Sequence, residues 1–287
     1  MWKLMMAAGA AVFGCCLRSA YERKNFAVDV YEILSEKVTR ERTFVFLSDL
    51  HDNCFGPNQE RLLAAIDKVR PDGVLIGGDM MVVKKEADLE AALFLAGKLA
   101  EKYPVFYGNG NHESRMDRKR GLYGDTYDVF VTRLREAGVC HLSDESVVFD
   151  DEVRISGLDV DRPYYDKRVP SDRMEVSYIE KRLGKAAEDR FQILLAHSPL
   201  FYRTYGRWGA DLALCGHFHG GTIRLPWVGG LMTPQFHFFE KCCAGRLNEG
   251  GRDVIVSRGL GTHSINIRLH NQAELVVVKL LPFGKRQ

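Results

Sequence analysis

Three short apolar runs near the start of the chain constrain its fold most. They cover residues 43–47, 73–76 and 105–107. Each is rich in β-branched or aromatic residues and too short for a stable helix, so each reads as a buried strand. Between them, Leu62, Leu63, Ile66 and Val69 recur at helical spacing within 57–70, with Asn58 placed to cap that helix. Leu89, Leu93, Ala96 and Ala100 do the same within 86–102. A β-α-β-α-β order requires crossover connections, hence largely parallel strands covered on both faces.

Each run ends in polar residues. The first gives Ser48-Asp49-Leu50-His51, the second Gly77-Gly78-Asp79, and the third Gly110-Asn111-His112-Glu113. Open α/β sheets place their sites at these strand ends. The pattern resumes later, where residues 191–196 end in His197 and residues 211–214 end in Cys215-Gly216-His217-Phe218-His219. In an extended segment, side chains two apart point the same way, so His217 and His219 can face one pocket. Elsewhere the chain shows an edge strand within 25–40 and a basic loop at 114–120. A helix follows around Tyr127, Phe130, Val131 and Leu134, then a strand pair at 147–149 and 153–155, and a helix at 174–187. Short strands are expected at 222–225, 254–257, 265–269 and 274–281. No linker or repeat divides the chain after about residue 40.

Asp49, His51, Asp79, Asn111, His112, His197, His217 and His219 are therefore all strand-end residues. Imidazole and carboxylate together suit Mn, Fe or Zn more than Ca. The set is too large for one ion and fits two. Two ions about 3.5–4 Å apart can clamp the attacking and leaving oxygens of a phosphoryl displacement.

The formal net charge is +2 over 287 residues, which gives no basic footprint for nucleic acid. Seven cysteines, with no Cys-x-x-Cys spacing, form neither a disulfide framework nor a zinc ribbon. An apolar run over residues 4–17 precedes Arg18, Arg23 and Lys24. Its length matches a signal-peptide core better than a span of about 20 residues. Residues 1–24 are expected to associate with a membrane as an anchor or signal-like segment, and Cys15 and Cys16 are available for acylation. The heavier basic flank would leave the catalytic part cytoplasmic if the segment spans. A packed N-terminal helix is the other reading.

In order and content, these strand-end motifs resemble those of the calcineurin-like metallophosphoesterases. The closing Ser257-Arg258-Gly259-Leu260-Gly261, with Ile267-Arg268-Leu269, resembles a bacterial subgroup that often has an N-terminal membrane or export segment. The resemblance covers about residues 40–282. It implies a four-layer α/β/β/α sandwich of two mixed sheets, with residues 25–287 as a single domain. It also implies that Asp49, His51, Asp79 and His219 hold one divalent ion. Asp79 would bridge to a second, completed by Asn111, His197 and His217. His112 would stay off the metals, to stabilise the phosphoryl group or protonate the leaving oxygen. A hydroxide bridging the metals would attack a phosphodiester or pyrophosphate, in a substrate that membrane association makes membrane-derived. A phosphomonoesterase or a non-catalytic metal scaffold are the alternatives. Two positions depart from the subgroup pattern. Thr222 replaces a glutamine, and Asp52-Asn53-Cys54 replaces an apolar residue and glycine. Neither removes a ligand. Asp52 is expected to face solvent, and Tyr164 and Tyr165 to pack the insertion rather than line a pocket.

Overall fold

The computed structural model of the chain describes residues 1–262 and 266–284, apart from the Leu4 side chain. Helix α1 (Trp2–Lys24) leads into strand β1 (Phe26–Ser35). The first half continues as β2 (Arg42–Leu47), α2 (Glu60–Val69), β3 (Gly73–Ile76), α3 (Glu90–Ala100) and β4 (Val105–Gly108). This is the β-α-β-α-β order read from the sequence. Asn58 does not cap α2: it lies in a preceding 3-10 turn with φ of 52°, and the helix begins at Glu60.

The basic stretch expected as a loop is helical, in α4 (Asn111–Arg118) and α5 (Arg120–Tyr123). Apart from Met116, α4 has no large apolar side chain, so it carries no hydrophobic period to announce it. Its start is set instead by Glu113, whose carboxylate accepts the Gly110 amide at 3.0 Å. Next come α6 (Thr126–Glu136) and a three-residue strand, β5 (Cys140–Leu142), too short to show alternation.

The second half contains β6 (Glu145–Val148), β7 (Val153–Leu158), α7 (Val176–Leu183), β8 (Phe191–Ala196), α8 (Tyr202–Trp208) and β9 (Leu212–Cys215). A small hairpin of β10 (Arg224–Leu225) and β11 (Gly229–Gly230) follows. The chain then forms β12 (Gly245–Glu249), β13 (Arg252–Val256) and β14 (Ala273–Pro282). Helix α7 is shorter than the 174–187 expected, because Gly184 ends it with φ of 72°. In the expected 265–269 strand, Ile265 lies outside the described residues, as does His263. Leu269 makes only an isolated bridge with Ile223.

Two six-stranded sheets result, in the orders β1-β14-β2-β3-β4-β5 and β12-β13-β9-β8-β7-β6. Both are mixed but largely parallel, as expected: of their pairs, β14 with β2, β12 with β13, and β6 with β7 run antiparallel. Alternation along each strand sorts the side chains into layers. Phe44 and Phe46 of β2 meet Ile193 and Leu195 of β8 between the sheets. Val45 and Leu47 face the outer layer with Leu62 of α2 and Leu95 of α3. Leu194 and Ala196 face Ile179 of α7 and Tyr205 of α8 on the far side. The architecture is α/β/β/α, as expected.

Among the described residues, no helix is long and apolar enough to cross a membrane. Helix α1 has two distinct parts. Trp2, Met5, Met6, Val12, Phe13 and Leu17 are exposed, whereas Ser19 and Glu22 are buried against the fold.

Phe46 is fully buried between the sheets and lies under Gly77, next to the loop that carries Asp79. Phe46→Ala is expected to cost about 3–5 kcal/mol of stability. Val28→Ala, on the exposed face of β1, should cost within about 0.5 kcal/mol. Chemical denaturation of the two variants checks the contrast.

Candidate metal centre

The C-terminal ends of β2, β3, β4, β8 and β9 converge, although they belong to two sheets. Asp49 and His51 follow β2, Asp79 follows β3, and Asn111 and His112 open α4 after β4. His197 follows β8, and His217 and His219 follow β9. All of the expected ligand side chains meet there. Three clusters form: Asp49 with His51 and His219, Asp79 with His197 and His217, and His51 with Asp79 and His112.

The spacing suits metal binding. Two atoms each about 2.1 Å from one ion lie roughly 3.0–3.4 Å apart. His51 Nε2 is 3.2 Å from His219 Nε2, and His219 Nε2 is 3.4 Å from Asp49 Oδ1. His197 Nε2 is 3.2 Å from Asp79 Oδ2. Asp79 Oδ2 also lies 3.8 Å from His51 Nε2, so this carboxylate stands between the first two clusters. Buried His217 Nε2 and Asn111 Oδ1 have no hydrogen-bond partner among the described residues. Such orphaned atoms are costly unless a ligand satisfies them. The donor set and its unsatisfied atoms fit divalent cations.

Outer contacts fix the rings. A carbonyl can only accept, so His197 Nδ1–H donates to Gly77 O at 2.8 Å and His219 Nδ1–H to Gly261 O at 3.2 Å. In its neutral form each ring therefore directs its Nε2 lone pair to the cavity. His112 is oriented oppositely. The Val83 amide donates to its Nδ1 at 2.7 Å, which leaves the ring proton on Nε2.

Burial holds His51 and His217 well below the ordinary imidazole range, so both stay in the neutral, ligating form. Burial would also lower His197, but the Asp79 and Asp49 carboxylates outweigh it and raise His197 to about 10. Burial would raise the Asp79 carboxyl, yet His197 and His112 hold it well below the usual carboxylate range.

Two braces support the ligand loops. Glu113 Oε2 accepts the Asp79 amide at 2.9 Å and the Gly110 amide at 3.0 Å. Its Oε1 accepts the Met80 amide at 3.1 Å and the Tyr107 hydroxyl at 2.7 Å. The loops touch so closely that a Cβ on Gly110 would lie 2.2 Å from Asp79 Oδ1.

The second brace is buried Arg268. Its Nη2 donates to Arg258 O, Gly259 O and Gly261 O at 2.8, 2.9 and 2.6 Å. Gly261 O is the same carbonyl that orients His219. Asn271 Nδ2 donates to His219 O at 2.6 Å. Helix α1 completes this brace: Glu22 Oε2 accepts the Asn271 amide at 2.8 Å, and Ser19 Oγ accepts the Arg268 amide at 3.1 Å. Arg268 belongs to the tail motif and Glu113 to the Gly-Asn-His-Glu motif, so both were visible in the sequence without a role. Nothing in the sequence pointed to Glu22 or Asn271.

A cavity of 600 Å³ opens over the centre, with Lys84, Arg118 and Lys119 at its walls. Tyr165 lines it too, its ring 4.9 Å from and edge-on to His217, against the expectation that it only packs the insertion. Tyr164 does pack, against Phe201 and Tyr178. Asp52 is exposed, as expected, and its Oδ2 accepts the Val82 amide at 3.0 Å. His141 bonds Asn109 Oδ1 at 2.8 Å, behind the centre.

Residues 42–221 match the family model described as calcineurin-like phosphoesterase. The chain belongs to the calcineurin-like phosphoesterase family. It is a metal-dependent phosphoester hydrolase. The chain is 27% identical over 241 residues to Phosphodiesterase YaeI of Escherichia coli, covering 83% of this chain and 81% of that one. It is 29% identical over 264 residues to an uncharacterized metallophosphoesterase of Aquifex aeolicus, covering 88% and 91%. Among solved structures, a 5'-nucleotidase precursor from Thermus thermophilus aligns with a TM-score of 0.40 at 16% identity. The match covers 77% of this chain and 49% of that one, so the metallophosphoesterase spans about half its length.

Two outcomes are expected. With His197 raised to about 10, its proton is present in the metal-free enzyme at neutral pH and must leave when metal binds. Adding Mn²⁺ to weakly buffered apoenzyme at pH 7 should release protons, and metal affinity should rise with pH up to about 10. Separately, Glu22→Ala should weaken metal retention by about tenfold or more, through loss of the outer support of His219. Glu22→Gln, which keeps an acceptor, should retain most of it. Metal-to-protein ratios after dialysis against graded chelator measure both variants.

Proposed function

We propose that the chain is a dinuclear phosphodiesterase. In this reading Asp49, His51, Asp79 and His219 hold one divalent ion, and Asp79, Asn111, His197 and His217 hold the second. The observation that carries it is the meeting of two histidine–carboxylate clusters at Asp79. The donor chemistry favours Mn, Fe or Zn. Once bound, two such ions supply a nucleophile ionised at neutral pH and positive charge against the phosphoryl oxygens.

The protein's own residues do the rest. Lys84, Arg118 and Lys119 draw an anionic substrate toward the cavity floor. His112 offers its Nε2–H to a phosphoryl oxygen. Because its Nδ1 accepts the Val83 amide, Nε2 carries a proton and is the donor on the cavity side. In this reading its role is hydrogen-bond stabilisation of developing charge, rather than protonation of the leaving group. The Escherichia coli relative is named a phosphodiesterase, which supports a diester over a monoester.

In the same reading, residues 25–287 form the catalytic domain and residues 1–24 a segment that docks on it through Ser19 and Glu22. The exposed side chains of Met5, Met6, Val12 and Phe13 hold the enzyme at a membrane surface. The substrate is then a membrane-derived diester or pyrophosphate.

After chelation and Mn²⁺ add-back, bis-p-nitrophenyl phosphate should be hydrolysed well above p-nitrophenyl phosphate. Activity on the monoester alone would overturn the diester reading. Asp79→Asn should lose metal and turnover together. His112→Ala should keep its metal content and lose about 10²–10³-fold in kcat. That loss should be equal for nitrophenyl and alkyl leaving groups, and a much larger loss on alkyl esters would return the proton-donor role to His112.

A further inference from the structure

We propose that a second cavity beside the metal centre binds an apolar ester arm of the substrate. The proposal deepens the phosphodiesterase reading above and rests on it. This cavity has a volume of 340 Å³. His219 lines both it and the metal cavity, so a phosphoester held by the metal-site residues has one substituent within reach of it.

The walls differ in chemistry from those of the metal cavity. There, Lys84, Arg118 and Lys119 face the open space. Here Met232, Phe236 and Ile267 do, and Pro234 lies between the two cavities. Phe236 and Ile267 are 42% and 41% exposed, a large apolar area left to water for side chains so near a reaction centre. The cations present do not make this an anion site. Lys167 lays its ammonium over the Phe236 ring, 4.5 Å from the centroid. Both terminal nitrogens of Arg268 are engaged by backbone carbonyls. A ligand that fills both cavities carries its charge on one side and an alkyl or aryl group on the other.

The surroundings agree with such an amphiphile. Arg268, a wall of the second cavity, is bonded through its amide to Ser19 of α1. The helix that carries the exposed apolar side chains is thus anchored to a residue that lines this cavity.

The test uses full-length, metal-loaded enzyme and the methyl, butyl and octyl esters of p-nitrophenyl phosphate, each below its aggregation concentration. Burial of one methylene is worth up to about fourfold. The proposal expects kcat/KM to rise at least about tenfold from methyl to octyl. Met232→Trp, which fills the cavity, and Ile267→Asp, which charges its wall, should each bring the octyl-to-methyl ratio close to one. Turnover of all three esters with no gain along the series would overturn the proposal while leaving the phosphodiesterase reading intact. A gain that survives both variants would also overturn it, and would place the preference on α1 or elsewhere. If no ester were turned over, the phosphodiesterase reading would fall. Calorimetric titration with octyl against methyl phosphate would then decide the cavity alone, a tenfold preference supporting it and equal affinities ending it.

Discussion

Both carboxylate oxygens of Asp49 accept the amide of His217 at 3.0 Å. Asp49 follows a strand of one sheet and His217 a strand of the other, so this contact ties the two halves together at the site. The same device recurs at Asp79, whose Oδ1 accepts the His112 amide at 2.8 Å. Each candidate metal-binding carboxylate is thus also a fastener for the next loop. A charged acceptor bonded to backbone amides is among the stronger hydrogen bonds available. It is buried where leaving those amides unpaired would be expensive.

That fastening must work against the backbone. Asp49, His51, Asp79, His217 and His219 all have positive φ, between 46° and 65°. For residues with a Cβ this conformation costs about 1–2 kcal/mol each. Residues held this way persist only where the surroundings over-determine them. Here the Glu113 and Arg268 hydrogen bonds supply that determination. The left-handed turns curl the chain immediately past β2, β3 and β9, so that side chains from these strands point into the space that His112 after β4 and His197 after β8 also reach.

Strand ends were legible in the sequence because apolar runs and the polar residues that stop them are local signals. Asp49, Asp79 and His197 could be placed at strand ends from such runs alone. Helix α4 was not legible, because its face toward the core is made by His112, Glu113 and Ser114 instead of a hydrophobic stripe. Which strand runs antiparallel within the first sheet was hidden too. Strand β14, far along the chain, enters between β1 and β2, and no local pattern encodes a partner some 240 residues away. The role of α1 escaped for a similar reason. Its composition announces an apolar segment, whereas its attachment depends on one serine and one glutamate meeting backbone amides of residues 268 and 271.

The place of β14 also bears on how the molecule assembles. β1 pairs with β14 over its whole length, from Phe26 opposite Ala273 to Ser35 opposite Pro282, and β2 pairs with the other edge of β14. During synthesis, β1 has no neighbour and β2 keeps an open edge until β14 has emerged. The loop that orients His219 lies shortly before β14, so the metal centre is completed only at about that point. A nascent chain of this topology carries long unpaired edges until then. Its yield in a cell then depends on how well those edges are shielded before β14 arrives.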